Sequence, residues 1–217
     1  MYRKVNSFSQ VSGVAGLGFA ILIVLGNAIL VPAGMPVPGT EFGQVSEFLL
    51  AHGGTVGLVS ALAPVTWMSA TVFGAGAVVA LWSSTPGWSL VGFAGLLLQN
   101  GTFTAVIALR LAATSAPDEG LWALHDALLT INGTFLAVAM LGLSTAGLRS
   151  GLIRRWHAIL GFVSATFTLT SATLTPWVID TAGPLGLIGL TGWLMWVVWI
   201  GTYGVTLIRL TPQHIGS

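Results

Sequence analysis

His125 and Asp126 stand side by side in LWALHDALLTING, residues 121–133, a stretch otherwise rich in hydrocarbon, with Asn132 seven positions after the histidine. An imidazole next to a carboxylate suits proton transfer, because histidine titrates near neutrality and a desolvated carboxyl rises toward that range. Imidazoles with a carboxylate also suit zinc or iron, and two facing imidazoles suit haem. His52, Glu47, Asp180 and Arg110 are expected at the same level as this pair, on the ends of different helices. Acid–base work would fall to Asp126, His125 and Glu47. A metal or haem would need His52 and His125. Neighbours on a helix point about 100° apart, so His125 and Asp126 are not expected to converge on one ion. No spacing has the specificity of a zinc or phosphate-loop signature, so no metal is assigned and the cofactor stays open. The plain alternative is a pair of interfacial histidines and an acid balancing Arg110.

The elements that must carry these residues follow from composition. The 217-residue chain is 54% hydrophobic and 6% charged, against roughly a quarter charged in soluble domains. Such a chain cannot cover itself with polar surface and belongs in a bilayer. A net charge of +1 with no basic cluster beyond Arg154–Arg155 argues against nucleic acid. With no cysteine, disulfides, thiolate metal sites and thiol catalysis are excluded. Lys4, the one lysine, lies outside the apolar runs, so no retinal-type Schiff base forms within them.

Crossing a hydrocarbon core takes roughly 20 helical residues. Six apolar runs of that order are expected, at 8–31, 55–82, 88–110, 121–148, 156–179 and 185–209, forming one all-α membrane domain over residues 1–217. With both termini cytoplasmic in the plasma membrane, Arg3, Lys4, Arg149, Arg154, Arg155 and Arg209 fall inside and Arg110 alone outside. Every acidic residue (Glu41, Glu47, Asp118, Glu119, Asp126 and Asp180) then lies on the outer side. Between the first two spans, Phe42, Val45, Phe48 and Leu49 recur at helical spacing among Glu41, Gln44 and Glu47. They predict a short outer amphipathic helix, hinged at Gly53–Gly54 and holding His52 at the boundary. Pro64 predicts a kink in the second span.

Polar residues at bilayer depth usually face the bundle interior. Gln99 and Asn100 lie midway along the third span and Asn132 midway along the fourth, on the face of His125. They read either as interhelical hydrogen-bonding groups or as a cavity lining. His157 beside Arg154, Arg155 and Trp156 is expected at lipid headgroups. Trp193, Trp196, Trp199 and Tyr203 form an aromatic stripe, and the threonines of 166–175 can bond to carbonyls a turn back. Gly183, Gly186, Gly189 and Gly192, and Gly53 with Gly57, predict close helix approach.

The motifs LHD, AGLRSG and RRWHAILG within residues 121–163 resemble those of a family of multi-spanning actinobacterial membrane proteins of unknown function. That resemblance implies six membrane helices and supplies no catalytic residues; the Gly-rich, Lys-poor composition also looks actinobacterial. The leading functional expectation is an outward-facing pocket for a small or lipidic molecule, lined by His52, Gln99, Asn100, Asn132, Arg110 and Asp180 with the His125–Asp126 pair. The competing expectations are a cyclase or isomerase of isoprenoid lipids, a haem or metal protein, and a non-catalytic complex subunit or homo-oligomer. Proton-coupled transport has little support, with no inverted repeat and no charge at the midplane.

Overall fold

The structure, a computed structural model, describes residues 7–210 and is all-helical there. Helices α1 (Ser7–Leu30), α2 (Phe42–Ser60), α3 (Ala63–Leu81) and α4 (Pro86–Ser115) are followed by α5 (Glu119–Ile131) and α6 (Gly133–Arg149). The chain continues as α7 (Arg155–Thr173), the single turn α8 (Thr175–Val178) and α9 (Gly186–Ile208). Five stretches, with α2–α3 and α5–α6 each taken as one, are long and apolar enough to cross a membrane. The threonine-bearing α7 falls outside that group.

Close contacts order the rods into a closed, antiparallel ring. Small residues allow backbones to touch where lipid gives helices no hydrophobic reason to associate. A Cβ on Gly76 would meet Ser12 and one on Gly16 would meet Phe73, which sets α1 against α3. Gly74 faces Phe93 and Leu96 of α4, and Gly92 and Gly95 face Leu143 and Ala139 of α6. Gly161 lies against Ser144, and Gly133 against the Thr168 carbonyl, joining α6 to α7. Ser164 Oγ donates to Gly192 O at 2.6 Å between α7 and α9, and Gly204 meets Gly13 where α9 closes on α1. Each pair runs in opposite directions. One end of the ring therefore gathers Glu41, Glu47, Asp118, Glu119, Asp126 and Asp180, and the other gathers Arg149, Arg154, Arg155 and Arg209. Arg3, Lys4 and His214 lie outside the described residues.

Apolar side chains such as Val14, Ile21, Met68, Leu98 and Val198 face outward, as a bilayer requires. The largest buried cluster holds Phe19, Phe73, Met140, Leu143, Trp196, Trp199 and Tyr203. A smaller one at the acidic end holds Leu30, Val45, Phe48, Leu49, Val56, Ala113 and Trp122.

Several local features differ from expectation. The amphipathic segment is no separate element: α2 runs unbroken through Gly53–Gly54 to Ser60, and the bend falls at Ala61–Leu62, ahead of Pro64. Pro64 has no N–H to give the carbonyl one turn back, whereas the glycines keep theirs. A Cβ on Gly57 or Gly186 would meet nothing within 4 Å, so neither marks a seam, while Gly189 and Gly192 pack against Ser171 and Thr168. The run at 121–148 is interrupted at Asn132. His157, expected at lipid headgroups, is buried and donates from Nε2 to Trp199 O at 2.9 Å.

The α4–α6 seam has a sharp steric requirement, because a side chain at Gly95 would strike the Ala139 backbone. Thermal unfolding in detergent should show Gly95→Val less stable by about 1–3 kcal/mol, the usual cost of overpacking. Gly101→Ala, whose Cβ meets nothing, should be neutral or up to about 1 kcal/mol more stable through helix propensity.

Candidate functional site

At the acidic end, the buried stripe of α4 carries Val106, Arg110 and Ala113 at helical spacing. On the facing α5, Asp118 caps the helix by accepting from Leu121 N at 2.9 Å, and Trp122, His125 and Asp126 share its buried face. The seam at Gly92 and Gly95 sets the register that places Arg110 opposite His125. The three ionisable side chains are nearly inaccessible, at 7% for Arg110, 1% for His125 and 4% for Asp126.

Arg110 Nη2 lies 3.2 Å from His125 Nε2, and His125 Nδ1 lies 2.9 Å from Asp126 Oδ1. A guanidinium can only donate, so Nε2 must be the acceptor and Nδ1 carries the ring proton. The imidazole is thus neutral and hands its N–H to the carboxylate. Asp126 Oδ2 accepts the Gly39 N–H at 3.1 Å, so both carboxylate oxygens are engaged as acceptors. The Trp122 indole stacks on the imidazole, with centroids 4.1 Å apart and planes 17° apart. The guanidinium and the carboxylate are therefore linked by hydrogen bonds through a neutral ring, with no direct Arg–Asp ion pair among the described residues.

Gly39 extends this chain to two other segments. Its φ of 82° favours glycine, and a Cβ there would strike Thr181, Ala182 and Val178 O. Its own carbonyl accepts from Ala182 N at 2.9 Å. The α1–α2 loop is pinned in this way between Asp126 and the turn after α8.

The chain matches no protein-family model, no curated protein and no solved structure.

Geometry brings together Arg110, His125 and Asp126 from the expected set and leaves the others elsewhere. Adjacent His125 and Asp126, which were not expected to converge on one ion, bond to each other, because the stacked ring turns its Nδ1 edge to the short carboxylate. His52 sits half-buried against Phe48, at 5.1 Å between centroids. It does not face His125, both of whose nitrogens are already bonded. Among the described residues no three His, Asp or Glu side chains are grouped to hold a metal. Glu47 and Asp180 are exposed. Asn100 turns toward α3, with Nδ2 3.4 Å from Trp67 O and from Thr71 Oγ1. Gln99 and Asn132 are buried, and their carbonyl oxygens, like that of Asn100, have no donor. Trp196 and Trp199 pack in the large cluster, apart from Asp126.

Two members escaped the sequence reading. Trp122 stands three residues before His125, which puts both on one helical face. Gly39 follows Pro38, a turn-forming pair that says nothing of a partner 87 residues away.

Asp126 is the anchor of the loop, and a hydrogen bond to a charged group is worth about 1.5–3 kcal/mol. Asp126→Ala should speed hydrogen exchange at the Gly39 amide by about tenfold or more, with amides of α9 unchanged. Unaltered exchange at Gly39 would mean that the carboxylate does not hold the loop.

Proposed function

We propose that the chain is a plasma-membrane protein of six spans, with both termini cytoplasmic, whose outward-side centre at Arg110, His125 and Asp126 binds a small or lipidic molecule. The sixth span is α7. It packs between α6 and α9, and Thr166, Thr168 and Thr173 donate to carbonyls a turn back. That bonding removes most of the cost of placing hydroxyls in lipid. Gathering Arg149, Arg154, Arg155 and Arg209 at one end orients that end toward the cytoplasm. The first half of α2 stands at the outer end of the bundle, with Gln44 and Glu47 exposed and Val45, Phe48 and Leu49 buried.

The observation that carries the ligand reading is Arg110 Nε. It is a buried N–H on a permanent cation with no acceptor among the described residues. Burying an unmatched polar group is costly, and a membrane-embedded charge with unmet capacity is a functional-site hypothesis by default.

Because the chain has no native cysteine, topology can be read cleanly. Glu41→Cys should react with a membrane-impermeant maleimide on intact cells, and Arg154→Cys only after permeabilisation. The opposite pattern would place the centre on the cytoplasmic side.

Gently extracted protein should retain a small or lipidic molecule by native mass spectrometry. His125→Ala and Arg110→Leu should each lower its occupancy by about tenfold, the loss expected when a buried hydrogen bond to charge is removed. The exposed Glu47→Gln should keep it. Parent and variants with equal occupancy would exclude binding at this centre.

A further inference from the structure

We propose that the ligand of this centre is an uncharged lipophile bearing a carbonyl group, an inference that rests on the ligand-binding reading above. Arg110 Nε is accompanied by a second unpartnered donor, Trp122 Nε1, and both residues are more than nine-tenths buried. They flank the same imidazole. The guanidinium bonds its Nε2 edge and the indole stacks on its face. Both groups only donate, so their complement is an oxygen with lone pairs.

Charge then narrows the class. The centre holds one cation, one carboxylate and a neutral ring, and it balances as it stands. A carboxylate or phosphate ligand would leave a buried net negative charge, and burying a lone charge costs more than a hydrogen bond returns. An ammonium ligand would add charge and bring donors to donors. An alcohol brings a proton that needs an acceptor of its own, and each oxygen of Asp126 already accepts one hydrogen bond while both nitrogens of His125 are bonded. A carbonyl oxygen has two lone pairs and no proton, which suits two N–H groups.

The surroundings call for an apolar body. Trp122 is packed among Leu30, Val45, Phe48, Leu49, Val56 and Ala113. Beside them, the break between α2 and α3 opens a groove of about 220 Å³, lined by residues including Ser60, Pro64, Trp67, Ile107 and Leu111. Ile107 and Leu111 lie three residues before and one residue after Arg110 on α4, which puts the groove along the same stretch of helix as the centre.

Three probes with matched chains separate the possibilities: methyl decyl ketone, dodecanoate and dodecylammonium. Calorimetric titration of the unaltered full-length protein in detergent should rank the ketone at least about tenfold tighter than either ion. That ranking does not depend on any variant folding. NMR of the indole N–H groups should show the ketone shifting the signal that disappears in Trp122→Phe, and that variant should bind the ketone about tenfold more weakly. Tighter binding of dodecanoate would overturn the carbonyl assignment and leave the ligand-binding reading standing. If the ketone binds without moving the Trp122 signal, the assigned site is wrong. If no probe binds, while native mass spectrometry still finds a retained molecule lost in His125→Ala, the carbonyl class alone fails; with no retained molecule either, both readings fall.

Discussion

A guanidinium buried to 7% exposure within an apolar bundle is the constraint on which the acidic end depends. Such a charge is tolerated only with a counter-charge and hydrogen bonds around it. Arg110 obtains its counter-charge at one remove, through the neutral ring of His125, and this makes the imidazole a spacer with two distinct edges. The carboxylate at the far end has a second oxygen to satisfy, and it takes the Gly39 amide. A requirement that begins on α4 thereby decides the orientation of a ring on α5, the place of the α1–α2 loop, and the contact of that loop with the turn after α8.

The relay is possible only because α4 and the α5–α6 rod approach closely in a fixed register. Lipid offers helices no hydrophobic reason to associate, so backbone proximity has to supply the packing. Gly92, Gly95 and Gly142 provide it along α4 and α6. Farther toward the acidic end the same alignment faces Arg110 with His125. A shift of one residue along either helix would rotate one partner by about 100° and part them. The glycine seam is therefore as much a part of the centre as the side chains it aligns.

Much of this arrangement was legible in the sequence. Long apolar runs, the segregation of Arg from Asp and Glu, the bend ahead of Pro64 and the inward polar residues all follow from one-dimensional pattern, since membrane cost acts on each residue by type. Contacts that depend on a neighbouring rod were not legible. His157 beside Arg154 and Arg155 suggested headgroups, yet α7 turns it onto the Trp199 carbonyl. The hinge was expected at Gly53–Gly54, but both glycines lie inside α2, which runs on to Ser60. Grouping His52 with His125 assumed that equal depth means adjacency, and in a ring of rods depth fixes only one coordinate of three.

The two buried histidines differ in whether the groups around them are themselves satisfied. His157 is a closed case. Its Nε2 donates to Trp199 O at 2.9 Å, the Trp199 indole donates to Ser144 Oγ at 3.0 Å, and aromatic rings fill the space around it. His125 is equally buried and equally well bonded, but the groups that hold it are not themselves satisfied. The guanidinium on its edge and the indole on its face each retain an N–H without an acceptor. An apolar substitute of similar shape is often no less stable than a buried ion pair, so stability alone does not account for Arg110; a lone unpartnered indole also occurs in the large cluster, at Trp196. Leaving surplus donors around a charge-balanced ring is costly for folding alone, and it is the arrangement that recognition of an acceptor oxygen would require.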